Sequence, residues 1–221
     1  MHEPLQESRP AARRLGRPRS QTAASHAAIL DAVYELLLEQ SARELTMEAV
    51  ARRAKVGKPT LYKWWPSKAA LILAMFHERL AGDGVAGNAD ALSVPGAATA
   101  EQAIRARMQR LIADCNGLFG GVLADLIAEG QSDPALLDEL HQRYLGPEKA
   151  AVLADVQWGK ERGEFPAGTD AVLLAEAIFG PVYYRLLLRF APLTGEYGEK
   201  LVDQVLRGQA SGSALLHDPA R

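Results

Sequence analysis

Residues Thr46 to Lys68 read TMEAVARRAKVGKPTLYKWWPSK, and this stretch decides the fold. Thr46 is a good N-cap, because its hydroxyl can accept from an orphan backbone N–H in the turn that follows. Met47, Val50, Ala51 and Ala54 then recur at helical spacing, with Glu48 near the positive helix end. Gly57 stands where the chain has to turn, and glycine tolerates positive φ. A second helix begins near Lys58, and Pro59 suits its first turn, where the missing N–H has no intrahelical partner. Val56, Leu61 and Trp65 point back to a core, leaving Lys58, Thr60, Tyr62 and Lys63 outward. Trp64 lies between the two sets: its indole N–H could donate to a phosphate, or its ring could pack on a neighbouring helix.

The flanks complete the unit. Upstream, Ile29, Ala32, Val33, Leu36 and Leu37 form the stripe of an amphipathic helix over about residues 22–40. Downstream, Ser67 after Pro66 opens a helix whose inner face is Leu71, Ile72, Met75, Phe76 and Leu80. Three helix starts in about 25 residues, two of them joined by a short glycine turn, describe a helix-turn-helix. A three-helix bundle whose Tyr62 and Lys63 merely face water has the same periodicity.

The residues Leu45-Thr46, Val50-Ala51, Ala54, Val56-Gly57, Thr60-Leu61-Tyr62, Trp65-Pro66 and Ser67-Lys68-Ala69-Ala70-Leu71 resemble the DNA-binding domain of the TetR family of bacterial transcriptional regulators. The likeness covers about residues 25–80. It implies a homodimer that places one recognition helix per subunit in successive major grooves of a palindromic double-stranded DNA operator. By position, it puts Lys58, Pro59, Thr60 and Lys63 nearest base edges and Thr46, Tyr62 and Lys68 on phosphates, with Trp64 in the same DNA-facing set. The family often carries Ser or Thr where Gly57 stands, so a side-chain cap on the recognition helix is expected to be missing. Trp64-Trp65 replaces a common His or Tyr followed by Phe.

Beyond Leu80, residues 81–98 are rich in Gly and Ala and read as a connection. Helical patterning resumes near Thr99, where Ile104, Met108, Leu111, Ile112 and Cys115 share a face ending at Asn116-Gly117. Further helices are expected from Phe119 to Glu129, from Asp133-Pro134 to about Leu145, and from a restart at Gly146-Pro147 to about Arg162. After the turn at Gly163 to Pro166, Asp170 caps a helix that is apolar around much of its circumference. Pro181 is expected to kink it. That helix is either central to the domain or buried against another subunit. A last helix is expected from about Gly195 to Gly208. Arg162-Gly163-Glu164, Asp170 and Gly180-Pro181-Val182-Tyr183-Tyr184-Arg185 resemble the ligand-binding and dimerisation domain of a TetR subgroup, which implies that the last two long helices pair with their symmetry mates.

The expected architecture is all-α: a basic arm over 1–21, the helix-turn-helix domain over 22–80, a linker over 81–98, a larger ligand-binding and dimerisation domain over 99–208, and a tail over 209–221. Met1 to Lys68 holds 12 Lys and Arg against 7 Asp and Glu, whereas the remainder holds 13 against 20. A basic N-terminal third fits a polyanionic partner, and the acidic remainder favours a neutral or cationic small-molecule effector over an anionic one. Met108, Cys115, Phe119, Trp158, Phe179 and Tyr183 are candidate pocket residues, chosen as apolar or aromatic positions on helices that could surround a cavity.

One cysteine excludes an internal disulfide and fits a cytoplasmic setting. Without a signal-peptide pattern or an apolar run of about 18 residues, no membrane association is expected. The histidines are scattered, so no metal and no cofactor is expected. The chain carries no GxSxG, Walker A or GxGxxG motif; Gly120-Gly121 at a helix start is a faint phosphate-cradle signal. The reading is therefore a non-enzymatic, ligand-responsive transcriptional regulator, a repressor. Two alternatives stand beside it: a helical protein-binding dimer without operator recognition, and a hydrolase using Cys115.

Overall fold

Ten α-helices and one π-helical turn make up the described part of the computed structural model, which comprises residues 19–82, 94 and 96–215. Most of the expected arm and linker, and the end of the tail, lie outside these residues. No strand occurs among the described residues.

The headpiece contains α1 (Arg19–Glu39), α2 (Met47–Arg53), α3 (Lys58–Trp64) and α4 (Lys68–Gly82). Its core is made where Val33 and Leu37 of α1, Val50 of α2, Leu61 of α3 and Ile72 of α4 are buried together. Polar staples hold the exposed edges. Arg53 reaches back from α2 to Glu35 at 3.2 Å and Glu39 at 2.7 Å on α1. Arg79 of α4 bonds Asp31 at 2.8 Å and lies 3.8 Å over the Tyr34 ring.

The turn between α2 and α3 corrects one expectation. Gly57 is extended, with φ −77° and ψ 145°, and a Cβ there would meet only Pro59 Cδ at 3.6 Å. The left-handed residue is Lys55, at φ 55°, so the reversal comes two residues before the glycine. An L-residue in that region costs about 1–2 kcal/mol, which the surrounding helix contacts must offset.

The second domain comprises α5 (Ala100–Asn116), α6 (Leu118–Gly130), α7 (Pro134–Leu140), α8 (Gly146–Glu161), α9 (Ala171–Leu188) and α10 (Gly195–Leu215). The predicted caps are in place: Asp133 accepts from Ala135 and Leu136 N–H, and Asp170 accepts from Val172 and Leu173 N–H. The restart expected at Gly146-Pro147 is not a break. The π turn His141–Leu145 joins α7 to α8, with Gly146 N–H donating to the His141 carbonyl five residues back. Pro147 has no N–H to give, and the widened turn lets the helix pass through it. A Cβ on Gly146 would stand 2.8 Å from the His141 oxygen, so glycine is required by that close approach.

Helix α5 is the axis of this domain, packing on α6, α8 and α10. Its Arg107 is buried and bonds the buried Asp155 of α8 at 2.5 Å, while Arg105 clamps α10 through Glu199 at 2.6 Å and Asp203 at 2.5 Å. Helix α9 runs unbroken through Pro181 and has two apolar sides. Leu174, Ile178 and Val182 are buried in the domain, whereas Leu173, Tyr184, Leu187 and Leu188 are exposed. By length and composition α9 could cross a membrane, but its inner side is already packed into a helical core. Helix α10 continues past Gly208 to Leu215, since each interior glycine costs only about 1 kcal/mol.

Loss of one partner from the Arg107–Asp155 pair removes the carboxylate–guanidinium bond between two buried charged groups. Asp155→Ala is expected to lower the unfolding free energy by about 3–5 kcal/mol in urea denaturation, whereas a double Arg107→Met, Asp155→Leu variant recovers most of that loss.

Candidate nucleic-acid interface

The recognition helix α3 is short, and its inward and outward residues separate cleanly. Leu61 is fully buried, and Trp65, which caps the C-terminal end, is nearly so. Tyr62, Lys63, Lys58 and Pro59 are exposed and Thr60 is half-buried, so the side chains expected near DNA do share the outer surface. No side-chain cap bonds the start of α3, as expected from Gly57; the turn is closed by Thr60 N–H donating to the Gly57 carbonyl at 2.9 Å.

Thr46 does cap α2, its Oγ1 accepting from Ala49 N–H at 3.2 Å. Its hydroxyl hydrogen is still available to an incoming oxygen. Lys58 forms an ion pair with Glu48 of α2, which holds the Glu48 carboxyl below the usual carboxylate range. This exposed pair is cheap to exchange for a phosphate or base edge. Lys63 has no carboxylate partner among the described residues.

The Trp64 ring packs on its neighbours. Its ring lies 5.2 Å from His26 of α1 and meets Trp65 edge-on at 5.5 Å. Residue 64 therefore ties the end of the recognition helix to α1 through an aromatic cluster.

Lys68 stands apart from the other predicted anchors. Its ammonium is bonded to both carboxylate oxygens of Glu129, at 3.2 and 3.3 Å, where α6 ends beside the start of α4. Nearby, Ser67 accepts from Ala70 N–H at 2.9 Å and donates to Glu139 of α7. One turn before Glu129 on α6, Asp125 accepts from Ala42 N–H at 3.2 Å. Phe76 of α4 meets Phe119 of α6 edge-on at 4.9 Å, and Tyr144 of the π turn packs on the far side of Phe119 at the same distance. Asp125, Glu129 and Glu139 were not singled out by sequence because they are ordinary charged positions on amphipathic helices.

The six candidate pocket residues lie in or against the core of the second domain. Met108, Cys115 and Phe119 are buried core, and Trp158, Phe179 and Tyr183 pack against that core. Phe179 and Tyr183 stack at 6.1 Å, and burial pushes the Tyr183 hydroxyl pKa up. Burial, aided by Asp114, also pushes the Cys115 thiol up to about 12. A thiol protonated at neutral pH is a poor nucleophile, which argues against the Cys115 hydrolase. Among the described residues no group of His, Cys, Asp and Glu is placed to hold a metal.

A helix-turn-helix headpiece followed by a larger helical domain defines a two-domain DNA-binding regulator. Residues 29–75 match the family described as bacterial regulatory proteins, tetR family, and residues 94–205 match the tetracyclin repressor-like C-terminal domain. The chain is 33% identical over 199 residues to the HTH-type transcriptional regulator YdeS of Bacillus subtilis (strain 168), spanning 90% of this chain and 96% of that one. It also resembles the crystal structure of the TetR family transcription regulator SCO0332, with a TM-score of 0.68 and 31% identity over 83% of this chain and 97% of that one. The regulator FadR from Bacillus subtilis, crystallised with stearoyl-CoA, shares the fold at a TM-score of 0.62 and 16% identity, over 83% of this chain and 98% of that one. The chain belongs to the TetR family of transcriptional regulators, and its function is DNA-binding regulation.

The packed state of Trp64 has a direct consequence. Trp64→Phe keeps an aromatic ring against His26 and Trp65 and is expected to hold operator affinity within about two-fold, whereas Trp64→Ala lowers the thermal midpoint of the headpiece. A loss above about ten-fold in Trp64→Phe, read by gel shift, would assign the indole N–H to a phosphate instead.

Proposed function

We propose that this regulator is a cytoplasmic homodimeric repressor whose two α3 helices enter successive major grooves of a palindromic operator and which a small organic effector releases. The observation that carries the dimer is the outer side of α9. Leu173 is 60% exposed, Tyr184 56%, Leu188 59% and Phe190 57%, an apolar strip too continuous to leave in water. A second copy of the same strip covers it by two-fold symmetry, and α10 beside it offers Leu201 and Val205 at its edge. Dimerisation also supplies what one short recognition helix lacks, a second half-site about 34 Å away.

Release follows from the contacts between the domains. An effector that favours a headpiece separation unsuited to two adjacent grooves shifts the population away from the DNA-bound state. Linkage then requires DNA to weaken effector binding by the same factor. FadR, which shares this fold, was crystallised with stearoyl-CoA, so the architecture admits an organic ligand. The chain's role in this reading is binding, with no catalytic step.

Sedimentation should return a dimer, and a palindrome selected from random duplexes should bind it. A monomer with no selectable site would leave the protein-binding alternative. At that palindrome Lys63→Ala is expected to cost about 1–3 kcal/mol and to relax preference at one base pair; a uniform loss across sequences would instead place Lys63 on a phosphate.

Lys68→Ala should reduce the salt slope by about 1. Glu129→Gln should act oppositely, tightening operator binding by up to about five-fold, since it frees Lys68 from a partly exposed pair worth about 1 kcal/mol. Weaker binding in Glu129→Gln would show that the pair positions α4 for DNA.

A further inference from the structure

At the corner where α5 meets α6, the second domain has an open cleft of about 320 Å³. Asn116 and Gly121 form one side, Arg185, Leu186 and Arg189 of the end of α9 form another, and Leu193 lies beneath. The segment after α9 is held in place by two bonds: Asn116 Nδ2 donates to the Leu193 carbonyl at 2.8 Å, and Arg185 Nη1 donates to the Pro192 carbonyl at 2.9 Å. The Arg185 guanidinium also lies 3.4 Å over the Tyr197 ring.

The charge of the cleft is the opposite of the domain's average. Elsewhere in the domain Arg105, Arg107, Arg110, Arg143 and Arg162 are each paired with a carboxylate. Among the described residues Arg185 and Arg189 are paired with none, and no acidic side chain lines the cleft. Arg189 is held at the mouth by a left-handed backbone, φ 52° and ψ 26°, where glycine would be the easier residue. The apolar wall, Leu186, Leu193 and Cys115, is buried.

Local geometry also resolves the Gly120-Gly121 pair. A Cβ on Gly120 would collide with the Cys115 carbonyl oxygen at 1.9 Å, so this glycine is needed for the tight α5–α6 corner, where the two helices meet at 82°. A Cβ on Gly121 meets nothing within 4 Å and would project into open space.

We propose that this cleft binds a small amphipathic organic anion, a carboxylate on an aromatic or short aliphatic body. The carboxylate meets Arg189, with Arg185 behind it, and the apolar body lies on Leu186 and Leu193. The volume is at the lower end of small-molecule sites, which suits a compact ligand. The two arginines could have been suspected from sequence, because they stand four apart on an apolar helix with no acidic residue at helical spacing from either. As the identity of the effector, this inference rests on the effector-released repressor proposed above. The link is α6, which starts at the cleft and bears Asp125 and Glu129 against the headpiece.

The test is calorimetric titration of the full chain with 1-naphthoate, 1-naphthamide and 1-naphthylmethylammonium, which share a body and differ in charge. Naphthoate is expected to bind, the amide more weakly and the ammonium not at all. Arg189→Gly removes the guanidinium while suiting the left-handed backbone, and should weaken naphthoate by about ten-fold or more. Gly121→Leu starts from open space at the cleft and should abolish binding. The inference is overturned if naphthoate does not bind, if the amide or ammonium binds as well, or if both variants bind naphthoate like the parent. Operator gel shifts separate the two readings. Naphthoate that binds as expected but leaves the DNA complex intact upholds the anion site and removes its effector role. A different molecule that releases DNA while naphthoate fails to bind upholds release and removes the site.

Discussion

Everything the headpiece does at DNA depends on α4, a helix with obligations on two sides. Leu71, Ile72 and Met75 are fully buried, and with them α4 closes the helix-turn-helix core against α1. The same helix meets the second domain through Phe76 on Phe119 and through Lys68 on Glu129. Besides these, Ser67 with Glu139 and Ala42 with Asp125 are the polar ties across the junction. Each such contact is worth on the order of 1 kcal/mol. Their sum is comparable to the ~1–3 kcal/mol of a typical coupling free energy, so a modest rearrangement of α6 is enough to change how the headpiece is held.

How far the sequence was legible depends on whether a feature is local. Thr46, Asp133 and Asp170 were readable as caps because a cap is chemistry within three residues, and the stripes on α1, α4 and α5 were readable as periodicity. The turn differs from the expectation by two positions: glycine is the usual left-handed residue, but here Lys55 takes that conformation to close the end of α2, with Lys55 N–H donating to the Arg52 carbonyl and Val56 N–H to the Ala51 carbonyl, and Gly57 is extended. Gly146-Pro147 was read as a stop because proline normally ends a helix, and only the π turn one residue earlier shows how the chain passes it. The candidate pocket residues are the least specific of the readings. Apolar and aromatic residues predict core as readily as cavity, and Met108 and Phe119 are core. A cleft is defined by which helix ends come together, and that is not encoded in any one of them.

Helix α9 shows the same ambiguity in another form. Its apolar residues surround the axis, and periodicity alone offered either a central helix or a subunit face. Leu174, Ile178 and Val182 are buried in the domain, while Leu173, Tyr184 and Leu187 are exposed and leave a second side for the proposed partner copy. Gly180, about half-way along, is exposed on the outer side and has open space where a Cβ would stand. A small residue there leaves room for a second helix to approach closely.

Placement of the cleft and the lysine at opposite ends of one helix gives the proposed release a physical form. Helix α6 has 13 residues and is about 20 Å long, rigid on the scale of the shifts required. The proposed anion between Gly121 and Arg189 would act on its first turn, and Glu129 stands on its last. Lys68 can give its charge to Glu129 or to a phosphate, but one ammonium cannot be fully shared between sites several ångströms apart. In the proposed release, a movement of α6 that holds Glu129 on Lys68 competes with an operator phosphate for that ammonium, and the competition is mutual. The antagonism between effector and operator then needs no continuous wire of side chains, only a stiff helix and one cation with two competing partners.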